Sequence, residues 1–168
     1  MEEAAHEADR LAREYLHRYY GCAQTVLAAV TDALGLAGAA SQAAFKAMVG
    51  LAGGVGLTGW GTCGALTGAA AAVGLCVSPE REEYEETPEA RFEVYELAAE
   101  LAEKFKERFG GITCREVQRA LFGRHFDLRD PDQMREFVEG GFLWQCEEVV
   151  GAAARWAVEV VKKATRMP

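Results

Sequence analysis

The sequence predicts an all-α fold: a compact domain of seven or eight helices, spanning residues 1–168, with a glycine-rich loop. Three observations carry this. Apolar residues recur at spacings of three and four through most of the chain, as one face of a helix requires. Glycines and capping residues punctuate the runs. No strand-like alternation and no fixed-period repeat occurs. Charge is also uneven: residues 1–32 hold nine charged groups, residues 33–79 only Lys46, and residues 80–168 the other 34. The middle third is therefore the expected core, with amphipathic ends wrapped around it.

The elements follow in order. Ala5, Ala8, Leu11, Ala12, Tyr15, Leu16 and Tyr19 form one face of a first helix, interrupted at Gly21. Cys22 to Leu34 reads as a second helix, with Gly35 as its stop. Ser41 is the expected cap of a third, carrying Phe45, Met48 and Val49. A glycine-rich loop, Gly53–Gly61, follows. Thr62 is the expected cap of a fourth helix, Cys63 to Leu75. The acidic run Glu80–Thr87 reads as a solvated connection. Pro88 fits the first turn of a long helix to Phe109, ended by Gly110-Gly111. Thr113-Cys-Arg-Glu116 is a capping-box pattern opening a helix through Leu121. Asp130-Pro131 opens a short helix through Val138. After Gly140-Gly141, a last helix runs from Phe142 to about Ala164.

Composition narrows the function. Of the 168 residues, 50% are hydrophobic, enough for a sizeable core, which excludes a disordered chain. The net charge of −8 argues against a sequence-independent nucleic-acid binder. The N-terminal residues are charged and carry no apolar leader, so a reducing cytoplasm is the expected compartment. Ala47 to Pro79 is uncharged, but its nine glycines break any single membrane-spanning helix, so no membrane partner is expected.

Several motifs fall to simpler readings. Gly54-Val-Gly-Leu-Thr-Gly59 matches a dinucleotide fingerprint, but no strand precedes it and no βαβ unit follows, so no nucleotide is expected. His6, His17 and His125 form no metal motif and read as surface residues. Trp60, Trp144 and Trp156 read as core or interface anchors. The paired acids, such as Glu82-Glu83 and Glu147-Glu148, read as solvated faces.

The five cysteines carry the chemistry. Cys22, Cys63, Cys114 and Cys146 all fall at or near expected helix N-termini. There, unpaired backbone N–H groups and the positive dipole end favour a thiolate, which is both nucleophile and metal ligand. Cys76 lies at the far end of its helix, on roughly the opposite face from Cys63, and reads as an extra. Small, buried, inert cysteines are the alternative.

Taken with the glycine-rich run, three segments resemble the C_GCAxxG_C_C family of redox-active proteins. They are Tyr19-Tyr20-Gly21-Cys22-Ala23-Gln24, Gly61-Thr62-Cys63-Gly64-Ala65-Leu66-Thr67-Gly68, and Cys114-Arg115-Glu116, followed by Cys146 before a C-terminal helix. The resemblance covers roughly residues 5–160. It departs at one point: Gly-Cys-Ala occurs at Cys22, while the trailing Gly68 belongs with Cys63-Gly64-Ala65. It implies redox or metal chemistry at Cys22, Cys63, Cys114 and Cys146. The leading expectation is a four-thiolate site for an iron–sulfur cluster or a metal ion, served by a redox partner the sequence does not identify. The runner-up is a dithiol/disulfide site at Cys22 and Cys63, the expected catalytic pair. A third is a non-enzymatic helical domain whose Ala/Gly-rich middle forms a homodimer seam.

Overall fold

The computed structural model describes residues 2–165; Met1 and residues 166–168, the ends of the expected domain, lie outside it. Among the described residues are eight helices of nine or more residues: α1 (Glu2–Tyr19), α2 (Cys22–Ala33), α3 (Ala39–Met48), α4 (Gly64–Val77), α6 (Arg91–Phe109), α7 (Cys114–Phe122), α8 (Pro131–Glu139) and α10 (Glu147–Thr165). Two four-residue helices, α5 (Glu83–Glu86) and α9 (Phe142–Gln145), complete the α-helical set. The fold is all-α. None of these helices is long and apolar enough to cross a membrane.

A four-helix unit of α1, α2, α4 and α10 forms the heart of the molecule. Small residues dominate its seams. Ala5, Ala8, Ala12 and Leu16 of α1 are buried, with Ala153, Ala154, Ala157 and Val158 of α10. Alanine faces let helix axes approach closely at little side-chain entropy cost. The long α6 closes this unit against α4 and α10 with Leu101, Phe105 and Phe109. A smaller layer of α7, α8, α9 and the 52–63 segment packs aromatic rings over one end: Phe126 meets Phe137 at 5.4 Å and Phe142 at 4.8 Å between centroids.

The core is therefore not the whole middle third. Residues 33–62 lie largely at the surface, and within that third α4 supplies the buried body. Low charge there reflects close backbone approach in the glycine segment as much as burial.

Four helix starts or breaks differ from expectation. Gly38 is the N-cap of α3; Ser41 sits at its third position, and the Gly38 N–H donates to Ser41 Oγ at 2.9 Å. Cys63 itself is the N-cap of α4, one residue beyond the expected Thr62. Pro88 opens a separate 3-10 turn, Pro88–Ala90, and the long helix starts at Arg91. The last helix is broken at Cys146, between α9 and α10. The Thr113/Glu116 capping box and the Asp130 cap form as the local sequence dictates, because each is closed within one helical turn.

Candidate functional site: a cavity bordered by four cysteines

Each of the four cysteines lies where a helix begins. Cys22 is the first residue of α2, Cys63 is the N-cap of α4, and Cys114 is the first residue of α7. Cys146 precedes α10, and its carbonyl accepts from Val149 N and Val150 N at 3.0 Å, as a capping residue's does. Together they border one cavity of about 120 Å³. Cys76 is not among the residues lining it.

Three devices bring the four elements together. The first is the close contact of α2 with α4. A Cβ on Gly64 would lie 3.0 Å from Ala23 N and 3.2 Å from Cys22 Cβ, and one on Gly68 would collide with the Ala23 carbonyl. Gly64 and Gly68 are one turn apart on one face, so the two backbones touch there and Cys22 is held beside the start of α4.

The second device is an isolated antiparallel bridge between Thr62 and Thr113. Cys63 N donates to Ile112 O at 2.7 Å, Cys114 N to Gly61 O at 3.1 Å, and Arg115 N to Gly59 O at 3.1 Å. These bonds clamp the start of α4 against the start of α7, although fifty residues of chain separate the two threonines in order.

The third is the segment between them and α3. Residues 53–57 all have positive φ (61°, 72°, 67°, 58° and 64°), including the non-glycine Val55 and Leu57. Left-handed backbone costs a non-glycine residue roughly 1–2 kcal/mol. Thr58 Oγ1 holds the turn closed, donating to Gly54 O at 2.6 Å and Val55 O at 2.9 Å. Gly54 has no room for a side chain: a Cβ would lie 2.8 Å from Gly61 O and 3.1 Å from Cys114 Cβ. Gly53 and Leu57 thereby roof the cavity.

The remaining wall is apolar. Val117, Leu128, Met134, Phe137, Leu143 and Val149 face the four sulfurs, and no carboxylate or imidazole lines the space. Gln118 is the exception in polarity. It is buried, its Nε2 donates to Cys114 Sγ at 3.4 Å, and its Oε1 accepts from Phe126 N at 2.7 Å. Sequence reading missed this residue, although its place four positions after Cys114, on the same helix face, was available. Tyr20 was missed too. It lines the cavity mouth with φ 58° and forms part of the kink between α1 and α2.

Electrostatics correct one expectation. Helix N-termini do favour thiolates here: backbone N–H groups of Ala65 and Leu66 act on Cys63 in that direction. Burial is stronger. It pushes Cys22 and Cys63 well above the ordinary thiol value, and raises Cys114 and Cys146 as well. The sulfurs also oppose one another's ionisation: Cys146 and Cys114 act on Cys22, Cys22 and Cys114 on Cys63, and Cys63 and Cys114 on Cys146. Without a bound cation the four groups are protonated thiols at neutral pH. All five cysteines are free. Among the described residues, no group of three or more His, Cys, Asp or Glu side chains is placed to hold a single metal ion.

The other residues singled out in the sequence lie elsewhere. His6 and His125 are exposed; His17 bonds Glu147 at 2.6 Å and stacks on Trp144 at 4.3 Å. Trp60 is 72% exposed and is no core anchor. Cys76 is half-buried on α4.

A four-cysteine cavity in an all-helical fold, with the Gly64 and Gly68 contact behind it, defines a class of cysteine-motif protein. The family model described as "Putative redox-active protein (C_GCAxxG_C_C)" matches residues 20–160. The chain belongs to the C_GCAxxG_C_C family. No curated protein and no solved structure matches it.

Proposed function

We propose that this chain is an electron-transfer protein or oxidoreductase whose four thiols, Cys22, Cys63, Cys114 and Cys146, hold an iron–sulfur cluster within the cavity. One observation carries the reading: four cysteine sulfurs, with no carboxylate or imidazole among the described residues beside them, border a single largely apolar space of about 120 Å³. The donor set suits iron–sulfur ligation, which uses cysteine thiolates. A lone ion bonds thiolate sulfur at about 2.3 Å and needs its ligands converged on one point, whereas a cluster occupies the volume between separated sulfurs. The space between the sulfurs favours a cluster over a single ion, for which no group of three or more ligands is placed among the described residues.

When bound, such a cluster supplies one-electron transfer. The chain's own residues do the rest. The helix starts at Cys22 and Cys63 supply backbone N–H groups that favour thiolate charge, those of Ala65 and Leu66 in the case of Cys63. The Gln118 amide donates to Cys114 Sγ and is itself fixed by the Phe126 peptide. The largely apolar wall lowers the polarity around the sulfurs. Because the thiols are protonated when metal-free, uptake releases protons and becomes more favourable as pH rises.

The test is anaerobic reconstitution with iron and sulfide, followed by visible absorption and an iron count. Stoichiometric iron with a sulfur-to-iron absorption band supports the reading. A colourless, iron-free product, with the thiols still titratable, overturns it.

A second reading has its own observation. Gly64 seats Cys22 beside Cys63, the two cysteines expected to form a redox pair. Their two thiols would lose two electrons and two protons to an oxidant and form one S–S bond. Loss of two thiols on mild oxidation, abolished in Cys22→Ser and Cys63→Ser, supports it; an unchanged thiol count excludes it.

A further inference from the structure

A second opening lies on the other side of the cysteine wall. It has a volume of about 300 Å³ and is lined by Thr58, Trp60, Arg115, His125, Asp127 and Arg129. It shares two peptide segments with the thiol cavity, and neighbouring residues face opposite ways. Leu57 and Cys114 line the cavity; Thr58 and Arg115, each the next residue, line the cleft. The bond from Arg115 N to Gly59 O, at 3.1 Å, ties the two segments into one partition.

The cleft is basic in an acidic protein. The chain carries a net charge of −8, and nearby arginines are neutralised: Arg124 pairs with Glu136 at 3.0 Å, and Arg135 pairs with Asp132. Arg115 and Arg129 form no ion pair among the described residues. The single carboxylate in the lining, Asp127, is turned to its own backbone, accepting Arg129 N at 3.0 Å. Arg115 is fixed in place. Its guanidinium lies over the Trp60 ring at 3.9 Å, and its buried Nε has no hydrogen-bond partner. A buried charged donor left without an acceptor is unfavourable, so the hydrogen-bonding capacity of the Arg115 guanidinium is not filled by the protein itself. Trp60, largely exposed, adds a flat apolar surface beside these charges.

We propose that this cleft is a binding site for a small oxyanion ligand, a molecule bearing a phosphate or carboxylate. Arg115 and Arg129 hold the charged group, and Trp60 packs against the body attached to it. Guanidinium groups suit oxyanions because their N–H donors match the spacing of the oxygens. The volume exceeds that of the anionic group alone and leaves room for an organic portion. The occupant sits one peptide thickness from Cys114, outside the apolar chamber. This proposal stands independently of any cofactor in the thiol cavity.

The test uses the reduced full-length chain without added metal, titrated with inorganic phosphate and, separately, with acetate. Binding is read by calorimetry and by tryptophan fluorescence. Saturable binding of either anion supports the site, and the tighter of the two names the group it takes. Trp60→Phe should remove the fluorescence change while heat is still released. Arg129→Gln, on an exposed loop, should weaken binding roughly tenfold or more, the scale of one charge-assisted hydrogen bond. Arg115→Gln should do the same, with helical circular dichroism confirming that the fold is retained. No saturable binding of either anion by the native protein overturns the proposal, as does unchanged affinity in Arg129→Gln.

Discussion

The four-helix unit and the layer over its end solve different problems. In the unit of α1, α2, α4 and α10, regular helices meet through alanines and the glycines of α4, and the stabilisation is spread over many buried residues. In the capping layer, short elements are placed one by one: a capping box at Thr113, a side-chain cap at Asp130, a run of positive-φ residues at 53–57 and a helix break at Cys146. Cys22 opens α2 in the first region and Cys114 opens α7 in the second, while Cys63 joins the 52–63 segment to α4 and Cys146 joins α9 to α10, so the cavity lies on the seam. The contrast separates what holds the protein together from what aims its sulfurs.

Substitutions on either side should therefore behave differently. The largest stability loss is expected from Phe105→Ala, a fully buried ring on α6, at about 3–5 kcal/mol in denaturant unfolding, with the thiol count of the folded fraction unchanged. Gly54→Ala combines a strained φ of +72°, about 1–3 kcal/mol, with the clash of its methyl against backbone, so its loss should approach that of Phe105→Ala. Yet it should disturb the site more, because the new methyl presses on Cys114 Cβ and the Gly61 carbonyl. Faster alkylation of Cys114, measured by mass spectrometry, would show it. Native stability and native alkylation in Gly54→Ala would break the distinction.

Raising pH addresses the enclosed thiols directly. Burial lifts the folded-state values of Cys22, Cys63, Cys114 and Cys146 above their ordinary value of 9.0. Above pH 9 the unfolded chain gives up these protons while the folded chain keeps them, so the folded state binds more protons and stability falls with rising pH. Below pH 9 this contribution is fully present. The melting temperature of the reduced, metal-free protein should therefore drop above pH 9, and the drop should shrink in Cys22→Ser and Cys63→Ser. Thr113→Ala, which removes a cap in the second region, should cost about 1 kcal/mol. Smallest of all, Cys76→Ser should leave cofactor uptake and the reactivity of the other four thiols unchanged, since Cys76 does not line the cavity.

Local signals were readable and long-range ones were not. The Thr113/Glu116 box and the Asp130-Pro131 start are closed within a turn, and the sequence displays every group they need. Positions near helix starts were likewise legible for Cys22, Cys63 and Cys114. Their shared cavity was not, because it depends on the Thr62–Thr113 bridge and on the depth to which Gly68 lets α2 approach. The break at Cys146 carries no glycine or proline and gave no warning. The thiol shifts ran opposite to the dipole argument for the same reason: desolvation is a tertiary quantity, while a helix start is a local one.

The bridge between Thr62 and Thr113 also bears on engineering. It ties off everything between them as a closed excursion of the chain, so the spacing of Cys63 and Cys114 is set by a few hydrogen bonds and not by the length of the excursion. Doubling a flexible loop costs only about 0.6 kcal/mol in closure entropy. The acidic stretch at residues 80–87, largely exposed and contributing no residue to the cavity lining, is thus a natural place to graft a tag, a reporter or a docking module while the sulfur chamber keeps its shape.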